Sequence, residues 1–352
     1  MKNKILFVIL IILILILISA SAAYFLIGTD NVQKSSLGTN GGTFWGAAGI
    51  YVSPVGNDSN ACTRAEPCQT FNKVVSISQP GDVIHILEGY YSEPFTISKS
   101  GTAPNYISIV GHNAVLNGMV ISGDYIVVSS VEVEGTISHG ILVSGKHVIV
   151  EDSSIHHSVT ENGRVYCNDS GSWGSALKVM VGGEDIIFRR NSVYENCGEG
   201  IAVTQGVNTL IEDNIVRDNF SVNIYIDNSP FSTVQGNTVL CTGIYLRDGR
   251  RPTGIAVAEE SYDGWGAQRH NTSLLNNMVD GCYDGIASWD PEEPEGMEIN
   301  LIVKDNTITN GTHRSISLEW FNLNVLIIDN RVYTPIHVVN MEGVMLVNNT
   351  VR

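Results

Sequence analysis

Basic residues are scarce in this 352-residue chain: 20 lysines and arginines stand against 36 aspartates and glutamates, for a formal net charge of −16. That balance argues against a nucleic-acid partner, because affinity for a phosphate backbone comes from clustered Lys and Arg. It also means that a polyanionic ligand needs a cation to mediate its contact. Helical periodicity is missing too. Beyond the N-terminus no segment carries the heptad or 3.6-residue pattern of a long helix. No Cys/His spacing resembles a zinc site. What the chain does have is glycine (35 residues) and apolar side chains (43%), enough for one large core or two modest ones.

The N-terminus is the clearest local signal. Lys2 and Lys4 precede an uninterrupted apolar run from Ile5 to Ile18, and small residues from Ser19 to Ala23 lead to a second patch, Tyr24 to Ile27. A cleavable signal peptide would use the small residues as its cleavage site. A retained anchor would run from Ile5 to Ile27, long enough to cross ~30 Å of hydrocarbon. Apolar residues continue past the candidate site, which favours the anchor. Lysines flank only the N-terminal side, so the body is expected outside the cell, anchored at the surface or secreted if cleaved. Residues 1–28 are thus expected to be signal or anchor, and 29–47, rich in Gly, Ser, Thr and Asn, a flexible linker.

Six cysteines suit an oxidising compartment. Cys62 and Cys68 close a short loop and are expected to be bridged. Cys241 can pair with Cys282 and Cys167 can reach Cys197, but six cysteines allow about 15 pairings and the sequence leaves these open.

The remainder repeats. "RRNSV", "EDNIV", "QGNTV", "LNNMV", "KDNTI", "IDNRV" and "VNNTV" place Asn191, Asn214, Asn237, Asn277, Asn306, Asn330 and Asn349 in one column, with Ser153 and Val131 continuing it upstream. The cleanest spacings are 22 to 24 residues, as between 191, 214 and 237. A second column reads Gly-Ile at 140–141, 200–201, 254–255 and 285–286, with Asn223-Ile224 and Ser315-Ile316 as variants. Each repeat holds short runs of β-branched residues between Gly, Asn and Asp turns. One repeat cannot bury its apolar face alone, so stacking of coils is implied, with equivalent residues ~4.8 Å apart. Asparagine suits a recurring turn because it tolerates left-handed backbone, and stacked asparagines can bond along the column.

This all-β pattern resembles the right-handed, single-stranded parallel β-helix of the pectin-lyase-like superfamily. The block "YVSPVGNDSN…EPCQTFNKVVSISQPGDVIHILEGYYSEPFTISKSGTAPNYISIVG", residues 51 to 111, is similar to the opening of many exported members, where it forms an N-terminal cap and the first coils. The resemblance covers roughly residues 48 to 352. It implies a cap with first coils over 48–115, a short capping helix at "PCQTFNKVVSIS", and β-helix repeats over 116–352. The superfamily includes polysaccharide lyases, glycoside hydrolases, uronate epimerases and proteins of unknown role, so it fixes fold more than activity. The chain stops at "NNTVR" in mid-coil, which raises the expectation of a capping partner, an oligomer or further sequence.

Residues that interrupt the period are the functional candidates. Insertions lie at 160–173, at 241–252 with 259–271, and at 288–298. Trp173, Trp265 and Trp289 fall in them and Trp320 follows an equivalent strand, as sugar-stacking side chains or as pins holding the loops. Past the Gly-Ile column, Asp227, Glu259, Asp290 and Glu319 suggest a carboxylate row, two at the fourth position and two at the fifth. Oxygen donors of this kind suit Ca²⁺; the alternative is a solvated turn edge. Arg247, Arg250, Arg251 and His270 cluster in the second insertion, with Lys178 a further candidate as the one lysine between Lys146 and Lys304. In uronate lyases of this superfamily Ca²⁺ neutralises the substrate carboxylate while a Lys or Arg removes the C5 proton, a role these residues would take by analogy; otherwise the arginines are a surface salt network. His156-His157 read as a proton shuttle or as turn histidines. The expectation is therefore an exported, surface-tethered, carbohydrate-active β-helix acting on acidic polysaccharide as lyase or hydrolase, or a non-catalytic glycan-binding or structural protein.

Overall fold

The computed structural model describes residues 49–163, 166–168, 173–260, 270–289, 299–319, 324–339 and 343–352. The apolar N-terminal segment lies outside them; among the described residues no helix is long and apolar enough to cross a membrane. These residues belong to one compact unit, Ala48–Arg352. Three parallel sheets of 12, 10 and 11 strands wrap around a single apolar core. Each coil gives one strand to each sheet in turn, as Ser175–Val179, Glu184–Arg189 and Ser192–Tyr194 do before the next coil opens with Glu199–Thr204. The molecule is a right-handed parallel β-helix.

Register follows from side-chain alternation. Ile201, Ile224, Ile255, Ile286 and Ile316 lie in one column of the ten-strand sheet and are fully buried. A slip of one residue would turn such a column to the outer face, so burial of the whole stack holds each coil in place. The glycine before Ile201, Ile255 and Ile286 has its own cause. A side chain at Gly200 would run into the Asn223 carbonyl of the next coil, and one at Gly254 into the Gly285 carbonyl.

The asparagine column sits at the corner between the twelve-strand and eleven-strand sheets. Asn237 shows its logic: Oδ1 accepts from the backbone N–H and Nδ2 of Asn214 (2.9 and 3.0 Å), while Nδ2 donates to Asn277 Oδ1 (3.0 Å) and the Ile211 carbonyl (2.9 Å). The ladder runs unbroken from Asn191 to Asn349, and Ser153 extends it upstream by accepting from Val131 N–H. One expectation is corrected here. The left-handed residue of the turn is the one before the ladder asparagine: Asp213, Asn276, Asp305 and Asp329 all have φ between 52 and 57°. The asparagine's own role is to saturate buried backbone groups at a corner that sheet bonding leaves open.

A second ladder at the corner between the eleven-strand and ten-strand sheets was not read from the sequence. Ser158 N–H donates to Asn196 Oδ1 (2.9 Å), Asn196 Nδ2 to Asn219 Oδ1 (2.7 Å), Asn219 Nδ2 to Asn223 Oδ1 (2.9 Å), and Asn223 Nδ2 to Cys241 Sγ (3.1 Å). The Cys241–Cys282 disulfide then takes over the corner, and Cys167–Cys197 and Cys62–Cys68 complete the pairing. The cap helix spans Phe71–Ile77, with Thr70 as its N-cap accepting from Lys73 N–H. Phe71 packs on Tyr91 and Phe95 and closes the end of the core.

Two measurements check this account. Asn237→Ala strands two buried donors of Asn214, and should cost about 3 kcal/mol in urea unfolding; Asn300→Ala, at an exposed amide contact, should change stability by less than ~0.5 kcal/mol. In the cap, His85 is 1% exposed, and burial, then the neighbouring His112, hold its pKa down to about 4 from 6.5. The unfolded chain therefore binds the proton first as pH falls. Stability present above pH 6.5 should drop by about 3 kcal/mol on going to pH 4, and His85→Phe should flatten that part of the curve.

Candidate functional site

The outward face of the ten-strand sheet gathers the ionisable groups that lie beside the insertions. Lys178, Ala202, Tyr225, Ala256, Ala287 and Ser317 share one outward column. Four of the six are Ala or Ser, so the column is a floor of small side chains interrupted by Lys178 and Tyr225. The floor is covered around Tyr225 and opens toward the half-buried Ala287.

Glu199 is the hub at one end. Its Oε2 accepts from Ser175 Oγ (2.6 Å) and from Lys178 Nζ (3.5 Å), with both charged side chains under a tenth exposed. His139 Nδ1 accepts from Ser175 N–H (3.1 Å); burial first, then the Lys178 charge, lowers its pKa and keeps that lone pair available. Tyr225 OH donates to Glu260 Oε1 at 2.5 Å. Burial, with Asp227 and Glu260 nearby, pushes the Tyr225 pKa far up, so the phenol keeps its proton and acts as a donor.

Asp227 is fully buried and its Oδ1 accepts from Glu260 N–H (3.1 Å) and Asn228 Nδ2 (3.3 Å). Asn228 Nδ2 also donates to the Glu260 carbonyl. Two polar atoms beside it have no hydrogen-bond partner: Asn228 Oδ1, and Thr204 Oγ1 on the residue paired with Asp227 in the ladder. Buried oxygens without protein partners cost free energy, and their lone pairs can accept a hydrogen bond or take part in holding a cation.

The expected carboxylate row does not form as one line. Asp227 pairs with Ala258 and Ala258 with Trp289, so Glu259 lies one residue beyond the column and Asp290 follows Trp289. Glu319 stands two residues past Ser317, in Asp227's column but three coils away, about 14 Å at ~4.8 Å per coil. It faces Arg314 Nη1 (3.6 Å) and His337 Nε2 (3.4 Å). One cation cannot be shared along the whole row. Asp290, Trp265 and Trp320 lie outside the described residues, as do the side chains of His270 and Trp289.

The arginines have distinct surroundings. Arg247 lies over the half-exposed Trp173 ring (4.7 Å) and donates to Ser221 Oγ (3.3 Å), joining the first and second insertions at the edge of the floor. Arg250 lies over Tyr283 (5.1 Å), which stacks on His313 (4.7 Å). Arg251 Nη1 donates to the carbonyls of Gly281 (2.9 Å) and Cys241 (3.3 Å), a structural tie beside the disulfide. The edge is thus a ridge of paired cations and rings. Tyr225, Glu199 and Tyr283 escaped the sequence reading. The outward parity of "GIAVT", "NIYID", "GIAVA" and "GIASW" does mark Tyr225 as the one large residue in a column of alanines.

Residues 105–260 match the family model described as right handed beta helix region. No curated protein matches the chain. Among solved structures it is similar to the pectate lyase Pel9A, at 16% identity and TM-score 0.58 over 87% of this chain and 80% of that one. It is also similar to a rhamnogalacturonan lyase, at 14% identity and TM-score 0.58 over 87% of each. A third is the GH136 lacto-N-biosidase from Eubacterium ramulus, at 14% identity and TM-score 0.50 over 87% of this chain and 68% of that one. At such identities the likeness establishes the fold.

The buried Lys178–Glu199 pair gives a stability test. Glu199→Gln leaves the ammonium without a counter-charge and should cost about 3–5 kcal/mol in denaturant unfolding. The double variant with Lys178→Met should recover most of that loss; a single variant as stable as the wild type would show that the pair is not formed.

Proposed function

We propose that the outward face of the ten-strand sheet binds an extended acidic polysaccharide and that the protein cleaves it. The observation that carries this reading is the pair of partnerless buried oxygens, Thr204 Oγ1 and Asn228 Oδ1, set beside Asp227 on a floor of small residues. The likeness to a pectate lyase and a rhamnogalacturonan lyase supports the substrate class by analogy of fold.

The roles follow from the chemistry of each group. Asp227, Asn228 Oδ1 and Thr204 Oγ1 form an oxygen-only donor set that fits a hard cation such as Ca²⁺, with Glu260 brought beside Asp227 from the start of the 259–271 insertion. Such an ion, when bound, would offset a uronate carboxylate that the protein's own net charge repels. Lys178, held by Glu199, supplies fixed positive charge on the same face. Tyr225 retains its proton and is suited to donate a hydrogen bond to the glycosidic oxygen, with Glu260 as the acceptor that the substrate displaces. Trp173 with Arg247, and Tyr283 with Arg250, offer ring faces along the edge for sugar stacking.

A non-catalytic, glycan-binding reading has one observation in its favour: Lys178, Glu199, Tyr225 and Glu260 are already paired with one another. Export and surface tethering complete the proposal, supported by the apolar run Ile5–Ile18 and by three disulfides with no free cysteine among the described residues.

Incubating the protein with acidic and neutral polysaccharides, with Ca²⁺ and with chelator, separates these readings. Ultraviolet absorbance from unsaturated uronate, lost on chelation, marks a lyase; new reducing ends without absorbance mark a hydrolase. Tyr225→Phe should then lower turnover by ~10²-fold or more while leaving polysaccharide retention within a few-fold. Retention with neither product would favour the binding reading, and neither retention nor product would sink the proposal.

A further inference from the structure

On the outward face of the eleven-strand sheet, away from the floor described above, two adjacent histidines meet among three carboxylates. Glu134, His156, Tyr194 and Arg217 pair across successive coils, with Glu132 two residues before Glu134. His156 is 6% exposed and its ring stacks on Tyr194 at 4.8 Å. His157 follows in left-handed backbone (φ 50°), at the root of the first insertion.

Each imidazole has a carboxylate at Nε2. Glu132 Oε1 lies 3.0 Å from His156 Nε2, and Glu195 Oε2 lies 3.4 Å from His157 Nε2. Ionised carboxylates only accept, so His156 Nε2, hydrogen-bonded to Glu132, is the nitrogen of that ring that carries the hydrogen. A neutral imidazole has a single N–H, which leaves His156 Nδ1 as a lone pair. The two Nδ1 atoms face each other at 2.7 Å. At that distance the His156 lone pair accepts from His157 Nδ1–H, and a metal ion would bind both nitrogens by replacing that one proton.

The surroundings fit a metal. Glu134 Oε2 stands 3.9 Å from His156 Nδ1, and the ligand atoms of Glu132, Glu134 and His156 all lie within 4.8 Å of one another. Three carboxylates (Glu132, Glu134, Glu195) against one nearby cation, Arg217, leave a local excess of two negative charges. Arg217 is itself engaged by Glu195 at 2.6 Å. Ligating histidines whose second nitrogen is held by a carboxylate are the usual outer arrangement of transition-metal sites. We propose that His156 Nδ1, His157 Nδ1 and the Glu134 carboxylate bind one borderline divalent metal ion of the Zn²⁺ class, with Glu132 and Glu195 as positioning residues.

Imidazole donors select this class over Ca²⁺ or Mg²⁺. Zn–N bonds of ~2.0–2.1 Å in tetrahedral geometry set two nitrogens about 3.4 Å apart, so the rings must separate by about 0.7 Å. His157 can supply that movement, since its side chain is about half exposed. A bound ion would fix the point where the chain leaves for the insertion that carries Trp173 and is closed by Cys167–Cys197.

The test uses the untagged full chain. Zn²⁺ is titrated calorimetrically and Co²⁺ by its visible absorption. One equivalent should bind, and Co²⁺ should give the intense bands of a low-coordinate nitrogen site. His157→Gln and Glu134→Gln, both at partly exposed positions, should each weaken binding by at least ~10-fold while leaving the metal-free melting temperature unchanged. Glu132→Gln keeps all three ligands and should weaken binding ~10–100-fold. Absence of saturable binding, or binding as strong as that of the wild type in His157→Gln or Glu134→Gln, would overturn the proposal and leave an ordinary N–H···N hydrogen bond between the rings.

Discussion

Everything on the surface of this molecule depends on a line of buried amides. At the corner between the twelve-strand and eleven-strand sheets the chain turns too sharply for sheet bonding to continue, and each ladder asparagine closes the bonds that the turn leaves open. Because each Oδ1 from Asn214 to Asn349 takes two donors from the preceding coil, a coil out of register would orphan several buried groups at once. The apolar columns fix which side chains face inward, and the amide ladder fixes where along the strand each coil begins. Together they make the outer faces predictable to the residue.

That fixed register is what gives the outward face of the ten-strand sheet its character. Alanine and serine at most floor positions keep the face shallow. Lys178 and Tyr225 rise from it at set positions, with counter-groups, Glu199 and Glu260, arriving from the coil corners. The insertions leave from those same corners and carry the exposed rings. Chemistry is thus placed by the strands and access by the loops. The histidine pair on the eleven-strand sheet follows the same rule, since stacking on Tyr194 and the strand register bring Glu134 beside His156.

Much of this was legible from the residues. The asparagine and Gly-Ile columns gave the coils, and the glycines are explained by the carbonyl of the following coil. The second amide ladder was hidden because Asn196, Asn219 and Asn223 are 23 and then 4 residues apart, a spacing no periodic search reveals. The carboxylate row failed for a related reason. Counting from the Gly-Ile pair gave a fourth and a fifth position, and in a strand adjacent positions face opposite ways, so Asp227 and Glu259 do not align. Pairings such as Tyr225 with Glu260, 35 residues apart, come from coil corners and carry no local signature.

The most direct test of the central claim is hydrogen–deuterium exchange of the protein with and without an acidic polysaccharide that it retains. The account predicts added protection over 199–204, 222–228 and 253–260, the strands and turns of the ten-strand face. Protection confined to the eleven-strand or twelve-strand sheet, with those segments unchanged, would contradict it.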